Sequence, residues 1–384
     1  SAVDPLAKEL ASRGHEVHVY ARMPLNSKMP GHKLIDDVHY HFIDFQPDEL
    51  DLVKECLAMC NAMVHFLLET EHFMDAKFDI VHGFDWLTAQ ALINIKLNHQ
   101  RSCVLSLHST EPGRKFGREL GSVAAKVRAI EQDGVAFMDR VIGTTGPLCD
   151  EINASFEFDR SKTRYIPLSV DCLFFDNVSL SASKVKSELL KIEDDSRIVL
   201  FPAAIDVSQG VLAAIDSIPE VVKIAEHKNV RYVFASSGPA ESAVWRRAKK
   251  LRVEKHVCIT GPLEAQELID LYHSSEMVLA SSTKSGFSLQ VLYAWACKKP
   301  VIVSVSGGMR EIVWHENEGL KVEGDGFGIA WAVNRLLDDN GLAQHLGEQG
   351  RVKAAFSFAH RATGGLTNDL YDEIHGINSA LQAS

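Results

Sequence analysis

Two adjacent glycines, Gly307 and Gly308, stand in the segment SGGMREIV, directly after an apolar run that is typical of a strand. Because glycine has no side chain, backbone N–H groups at such a turn can approach a bound anion where a helix begins. The pattern predicts an anion site at these glycines, with Met309 and Glu311 beside them. A second interpretation stays open, since a tight strand-to-helix turn favours glycine whether or not an anion binds.

Other residues of metal-binding type do not form a recognisable ligand set. Cys56 and Cys60 are four apart on a predicted helix and share a face. No second ligand pair is near them in the sequence, so we expect buried thiols. The stretch HEVH lies in a predicted strand and lacks the helical spacing of a zinc protease. We therefore expect no metal.

Length, charge and cysteine usage restrict the class of protein. A chain of 384 residues is long enough for two domains. Its net charge of −11 argues against a nucleic-acid partner, which would require a basic surface. No apolar run approaches the roughly 20 residues of a membrane span, and no signal peptide opens the chain. The seven scattered cysteines suit a reduced, cytoplasmic protein better than a disulfide framework.

Strand-like and helical patterns alternate along the chain. In the first half, helical patterns over residues 47–75, 86–97 and 118–138 separate apolar strand candidates such as VHVY, FDIVHGF and SCVLSLHS. After the polar stretch at 177–196, five more strand candidates follow, from RIVLFPAA to PVIVSVS. Strands this apolar predict parallel sheets that are covered on both faces.

This alternation predicts two doubly wound domains and a tail. We expect a first domain over residues 1–176, a second over 177–355, and C-terminal helices over 356–384 that pack back on the first domain. A doubly wound domain normally opens with its central strand, whereas this sequence opens on a helix. We therefore expect that the first domain lacks its first strand, or that another segment fills its place.

A series of segments follows the order of one enzyme family. They are LAKELASRGHEVHVYA, FDIVHGFDWLTA, LSLHSTEPGR, DRVIGTTGPLCDEI, RYIPLSVD, SSGPAE, ITGPLEAQELIDLY and ACKKPVIVSVSGGMREIV. Over nearly its whole length the chain thus resembles the retaining GT-B glycosyltransferases of glycosyltransferase family 4, the glycogen-synthase-like group. The resemblance implies an α/β protein with the GT-B fold, in which two Rossmann-like domains face each other across a cleft.

The resemblance also implies a charged donor site for a nucleotide-diphosphate sugar. In the family an Arg and a Lys neutralise the departing diphosphate, one Glu orients the sugar, and a second Glu holds the ribose. In this sequence those positions fall on Ala204, Gln209, Ser285 and Tyr293. Each lost charge removes on the order of 3 kcal/mol of transition-state stabilisation. We therefore expect a degenerate donor site.

Several residues of the family pattern are retained. The resemblance implies that His108, inside HSTEPGR with Glu111 and Arg114, contacts the donor sugar, and it adds Asp85 to the binding residues. Structural roles for these residues stay open, because the charged donor-site residues that would act with them are replaced at Ala204, Gln209, Ser285 and Tyr293.

Aromatic side chains now stand on the helix that holds the ribose in the family. Tyr293 and Trp295 either stack on a ligand ring or fill the old nucleotide pocket.

Three functions remain open. The first is a pseudoglycosyltransferase, a scaffold that binds a protein partner or a saccharide. The second is an active hexosyltransferase that uses an unusual or nucleotide-activated donor and a saccharide or small-molecule acceptor. It would need replacement cations such as Arg114, Lys115 or Arg310. The third is a structural subunit held by an active homologous subunit. No cofactor is expected, apart from a nucleotide sugar if the protein is active.

Overall fold

The computed structural model describes residues 3–24, 31–45, 51–115 and 121–383. The chain divides into two compact units, one formed by residues 1–168 with 360–384 and the other by residues 169–359. The division expected after residue 176 falls inside the second unit. Parts of two expected helices, residues 47–50 and 118–120, lie outside the described residues.

Helices separate most of the strands, as the alternating pattern predicts. The helices are α1 (Val3–Ser12), α2 (Leu52–Met74), α3 (Trp86–His99), α4 (Glu111–Lys115), α5 (Ser122–Phe137), α6 (Gly146–Ser155), α7 (Ala182–Lys184), α8 (Val211–Val222), α9 (Glu241–Leu251), α10 (Ala265–Ser274), α11 (Leu289–Ala296), α12 (Gly326–Asp338), α13 (Asn340–Ser357) and α14 (His360–Ala383). The strands are β1 (Val17–Arg22), β2 (His32–Ile35), β3 (Val38–Ile43), β4 (Ile80–Phe84), β5 (Ser102–Leu107), β6 (Arg140–Gly143), β7 (Thr163–Tyr165), β8 (Arg197–Phe201), β9 (Val230–Phe234), β10 (Val257–Ile259), β11 (Met277–Ala280), β12 (Val301–Ser304) and β13 (Gly319–Val322).

The first unit contains two separate sheets. The strands β4-β5-β6-β7 form a parallel sheet in chain order. Every residue of β5 is buried, because helices cover both faces of this sheet. The smaller sheet has the order β1-β3-β2, with β1 parallel and β2 antiparallel to β3.

A cavity of about 520 Å³ adjoins strands of both sheets in the first unit. Its lining includes Val17 and Val19 of β1, Ile80 and Val81 of β4, and Tyr371 of α14. Within the described residues, β1 pairs only with β3 and β4 only with β5. The two strand edges are therefore open, and the idea that a central strand is missing here stays a prediction.

The last helix, α14, completes the core of the first unit. Its residues Leu370 and Ile374 are buried in one cluster with Val104 of β5 and Ile142 of β6. The carboxylate of Glu373 on the same helix accepts hydrogen bonds from Arg140 and Arg164, both at 2.7 Å. The C-terminal segment is thus an integral part of this unit.

The second unit is one parallel sheet of six strands, in the order β10-β9-β8-β11-β12-β13. The five expected strands are all present, and β13 is added at one edge. The chain order of the strands reverses between β8 and β11. Doubly wound sheets bind ligands at this kind of reversal, beside the carboxyl ends of the two strands. The ends of the unit meet, since the N–H of Val170 donates to the carbonyl of Phe358 at 2.8 Å.

None of the described helices is long and apolar enough to cross a lipid bilayer. The seven cysteines are free thiols. Cys56 and Cys60 are buried on α2, and both sulfur atoms lie against the carbonyl oxygen of Leu87, at 3.2 and 3.1 Å.

Candidate functional site

In the first unit, two candidate residues lie at the carboxyl ends of neighbouring strands. Asp85 follows β4, and His108 follows β5, which is parallel to β4. Asp85 has a left-handed φ of 58°, and its N–H donates to the carbonyl of Ser106 at 2.7 Å. This conformation turns the chain directly into α3. It is uncommon for a residue with a side chain, and residues of that kind are frequent at functional sites.

The carboxylate of Asp85 holds His108 at two points. One oxygen accepts the backbone N–H of His108 at 2.8 Å, and the other lies 2.9 Å from Nδ1 of the ring. A carboxylate at Nδ1 favours the tautomer that carries its proton there, which leaves Nε2 as an acceptor. Both side chains are partly exposed, at 29% and 27%. The pair can therefore accept a hydrogen bond from a ligand hydroxyl or take up a proton.

A second histidine lies behind this pair. His82 of β4 is 2.7 Å from the hydroxyl of Tyr371 and 2.7 Å from that of Ser106, and its ring stacks on Phe84. Burial, and to a lesser extent the nearby His108, lowers the pKa of His82 to about 3. The ring is neutral at neutral pH. Nothing in the sequence distinguishes His82 from other histidines in apolar strands, and it was not among the candidates.

The turn that follows His108 is held by an ion-pair network. The guanidinium of Arg114 donates to Glu111 at 2.8 Å, to Glu131 at 2.7 Å and to the hydroxyl of Ser109 at 2.8 Å. Glu131 is fully buried on α5 and also accepts the N–H of Glu111 at 2.7 Å. Burial raises the pKa of Glu131. The charge of Arg114 is thus balanced by two carboxylates, which gives it a structural role.

Glu131 was not a candidate from the sequence. It is one of two carboxylates in AIEQDGVAF, and its partner lies 17 residues earlier on another helix. The side chain of Lys115, another proposed replacement cation, lies outside the described residues.

In the second unit, the loop after β8 carries no cation at the two positions where the resemblance implies an Arg and a Lys. Ala204 is exposed, and Gln209 ends the short 3-10 turn Val207–Gln209. Gly210 follows with φ of 83°, and a Cβ on it would lie 2.5 Å from the hydroxyl oxygen of Ser281. The loops after β8 and β11 therefore touch at the point where strand order reverses.

The two glycines of SGGMREIV are explained by backbone contact. A Cβ on Gly307 would lie 2.2 Å from the carbonyl oxygen of Ser282, and one on Gly308 would lie 2.1 Å from that of Ser285. The N–H of Gly308 donates to the carbonyl of Lys284 at 2.7 Å. Only the three-residue 3-10 turn Gly308–Arg310 follows, where we expected a helix. This geometry favours the structural interpretation of the glycine pair.

The side chains that follow the glycines divide between core and surface. Met309 is buried, and its sulfur lies 3.4 Å from the N–H of Ser288. Glu311 is exposed and is 3.7 Å from the guanidinium of Arg310, at the limit of a weak ion pair. Lys284 is half-buried in the loop opposite.

The two aromatic residues of α11 have different environments. Trp295 is fully buried in the core, and its N–H donates to the carbonyl of Glu318 at 2.9 Å. Tyr293 is half-buried, stacks on Phe175 with ring centres 4.8 Å apart, and meets Tyr272 edge-on at 6.3 Å. Burial raises the pKa of Tyr293. Trp295 is therefore not available to stack on a ligand, and Tyr293 belongs to an aromatic cluster.

Ligand atoms close enough to share a metal ion occur elsewhere in the first unit. Across the described residues, the group that meets this condition consists of Glu16, His18 and His39. Glu16 and His18 belong to the stretch HEVH, and the group shares no residue with the glycine turn or with the Asp85–His108 pair.

Two family profiles match the chain. Residues 2–173 match "Glycosyltransferase Family 4", and residues 184–353 match "Glycosyl transferases group 1". Each half of the chain thus matches the profile of a glycosyltransferase domain. The uncharacterized glycosyltransferase MJ1607 of Methanocaldococcus jannaschii is 27% identical over 352 residues, which cover 89% of this chain and 85% of that protein. Glycogen synthase of Mycobacterium tuberculosis is 26% identical over 381 residues, with coverage of 96% and 89%.

Solved structures agree on the fold of these glycosyltransferase domains. Sucrose-phosphate synthase from Thermosynechococcus elongatus superposes with a TM-score of 0.78 at 20% identity, covering 98% of this chain and 93% of that one. Anabaena HepE in complex with UDP and glucose gives 0.75 at 15% identity, with coverage of 97% and 95%. The expected GT-B fold with two Rossmann-like domains is confirmed.

Proposed function

We propose that this glycosyltransferase-fold chain is a pseudoglycosyltransferase, which binds a saccharide or a protein partner and does not transfer sugar from a nucleoside-diphosphate donor. The observation that carries the proposal is the state of the three loops that meet at the carboxyl ends of β8, β11 and β12. The two positions where the resemblance implies cations are neutral there, and the N–H of Gly308 is already bonded to the neighbouring loop.

Sugar transfer from such a donor needs positive charge at the departing diphosphate. The loop after β8 has the neutral residues Ala204 and Gln209 at the two positions where the resemblance implies cations. The N–H of Gly308, which could otherwise donate to a phosphate, is already bonded to the carbonyl of Lys284. The one cation of the glycine turn, Arg310, is exposed beside Glu311. Little is left to stabilise a leaving diphosphate.

The ribose side supports the same proposal. Where the resemblance implies a carboxylate for the ribose hydroxyls, Tyr293 stacks on Phe175 and meets Tyr272. This aromatic cluster offers no carboxylate that could accept hydrogen bonds from both ribose hydroxyls. Separating these rings to admit a nucleotide would also lose their mutual stacking, which is worth about 1 kcal/mol per pair.

A saccharide is the ligand class that the similar proteins suggest. Their names include glycogen synthase and sucrose-phosphate synthase. The first unit retains the Asp85–His108 pair, in which Asp85 orients the imidazole ring. Nε2 of His108 can accept a hydrogen bond from a sugar hydroxyl. We therefore propose a saccharide as the small-molecule ligand, bound without transfer.

One observation favours an alternative, an active hexosyltransferase with an unusual donor. Asp85 holds the ring of His108 in a defined tautomer. To do so, Asp85 adopts a positive φ, which is unfavourable for a residue with a side chain. Such preorganisation is typical of residues that take part in chemistry. In this alternative, the leaving group of the donor would depend less on stabilisation by protein cations than a departing diphosphate does.

Calorimetric titration of the folded chain with UDP, ADP, GDP, UDP-glucose and ADP-glucose tests the proposal. We expect no heat of binding at micromolar ligand, with circular dichroism showing that the protein is folded. Micromolar binding with a preference for one nucleotide would overturn the proposal, and the search would then turn to acceptors.

A parallel titration with maltooligosaccharides tests the saccharide ligand. We expect weak binding that His108→Gln reduces and that His345→Gln, an exposed control on α13 in the second unit, leaves unchanged. Equal binding by both variants would remove His108 from the binding site.

A further inference from the structure

Four histidines gather on the small sheet of the first unit. His18 lies on β1, His39 and His41 on β3, and His32 on β2. The strand register pairs His18 with His39 and His32 with His41. The rings of His18 and His39 stack with centres 4.4 Å apart, so the four side chains lie on one face.

A carboxylate completes a set of ligand type. Glu16 directly precedes β1, and it, His18 and His39 each offer one ligand atom, all within 4.8 Å of one another. Nε2 of His18 lies 3.3 Å from a carboxylate oxygen of Glu16. Two ligands of a tetrahedral zinc ion, each at roughly 2.0–2.1 Å from the metal, are about 3.3 Å apart. The spacing of His18 and Glu16 thus already matches that of two zinc ligands, and His39 lies within 4.8 Å of both.

The remaining ring nitrogens are also held. Nδ1 of His18 is 3.0 Å from Nε2 of His41, and Nδ1 of His39 is 3.1 Å from Nε2 of His32. In metal sites, a hydrogen bond to the second nitrogen fixes the tautomer and orientation of a ligating imidazole. His41 and His32 are placed to act in this way. The orientation of both candidate ligand rings is therefore fixed before any ion binds.

Burial is compatible with an ion that enters from solvent. The side chain of His18 is 4% exposed, whereas that of Glu16 is 68% exposed. One ligand thus lies within the unit, and another reaches the solvent from which an ion would enter.

We propose that Glu16, His18 and His39 form a binding site for a divalent transition-metal ion of the zinc class. Two imidazoles and one carboxylate favour zinc, cobalt or nickel over magnesium and calcium, which prefer oxygen ligands alone. Water fills the remaining coordination position. The sequence did not predict the site, because its ligands come from HEVH on one strand and from HYH on another that pairs with it.

The test is a titration of the full chain, free of any histidine tag and treated first with a chelator, with cobalt chloride. We expect one equivalent to bind with the visible absorption of four-coordinate cobalt, and zinc chloride to displace it. His39→Gln and Glu16→Gln should each weaken binding at least tenfold. His65→Gln, an exposed histidine beside a glutamate on α2, is the matched control and should bind as the unmodified chain does.

Thermal unfolding gives a second readout. Zinc chloride should raise the unfolding temperature of the unmodified chain and of His65→Gln, and leave that of folded His39→Gln unchanged. Binding without defined stoichiometry in the unmodified chain would overturn the proposal. Unmodified affinity in both His39→Gln and Glu16→Gln would overturn it as well.

Discussion

At the residue scale, the ordered histidine of the first unit depends on side chains that come from several elements. Asp85 holds His108, while the Arg114 network holds the turn that follows it. Both arrangements are buried or half-buried, and each is held by hydrogen bonds of 2.9 Å or less. The first unit is therefore preorganised around His108, whatever ligand it binds.

Replacing Arg114 with methionine should destabilise the first unit by on the order of 3 kcal/mol, because Glu131 would remain buried without its counter-charge. Urea denaturation followed by circular dichroism measures the loss. Arg128→Met on the exposed face of α5 is the matched control and should change stability by less than about 0.5 kcal/mol.

Adding Glu131→Met to Arg114→Met should recover much of this loss, since the double variant buries no unpaired charge. A single Arg114→Met chain as stable as the control would show that the network does not support the turn.

His82 makes the stability of the first unit depend on pH. Its folded pKa of about 3 lies below the unfolded value near 6.5, so below pH 6.5 the unfolded state binds a proton that the folded state does not. Stability should therefore fall as the pH is lowered from 7 to 5, by about 1–2 kcal/mol from this residue. Urea midpoints at the two pH values measure the change.

His82→Gln keeps hydrogen-bonding capacity without a titratable ring, so its stability should depend less on pH over this interval. The other histidines of the first unit contribute equally to the unmodified chain and to His82→Gln. The informative quantity is therefore the difference between the two proteins in how steeply stability changes with pH. Parallel slopes would contradict the assignment to His82.

At the element scale, contact between loops decides the shape of the second unit's candidate site. The loops after β8, β11 and β12 touch through glycines that leave no room for a Cβ. Their main-chain groups bind one another as well, as the bond from Gly308 to Lys284 shows.

Gly308→Ala should destabilise the second unit by about 1–3 kcal/mol, because its Cβ would meet the backbone oxygens of Ser285 and Gly286 at 2.1 and 2.5 Å. Gly324→Ala is the control, since its Cβ would find its nearest neighbour at 3.6 Å. Calorimetric unfolding of both variants makes the comparison. A harmless Gly308→Ala would mean that the loop moves easily, and the anion interpretation of this turn would regain support.

The sequence predicted the elements better than the contacts between their ends. Apolar runs such as SCVLSL and RIVLF identify buried strands, because strands covered on both faces must be apolar throughout. The strands β2 and β13 were missed, since HKLI is largely exposed and GLKV is short and opens with glycine. Glu131, His82 and the cluster at His18 could not be predicted, because their partners are distant in sequence and meet only in the folded chain.

At the scale of the whole molecule, the chain leaves the first unit after residue 168 and returns to it at residue 360. The second unit is therefore one continuous segment. Both of its apolar clusters, on the two faces of the six-stranded sheet, draw only on residues 170–358.

Residues 169–359 should fold when they are produced alone. Their core is complete, and the bond from Val170 to Phe358 joins their ends. A dispersed amide spectrum and one cooperative urea transition are the expected results. Residues 1–168 alone should not give these, because Leu370 and Ile374 would be missing from the core. A second-unit fragment without cooperative unfolding would contradict this account.

The order of the segments along the chain bears on how the first unit is completed during synthesis. The second unit is inserted between the two parts of the first, so α14 is made after residues 169–359. Leu370 and Ile374 of α14 are needed in the cluster that contains Val104 and Ile142. The first unit therefore gains its complete core only after the whole second unit has been synthesised.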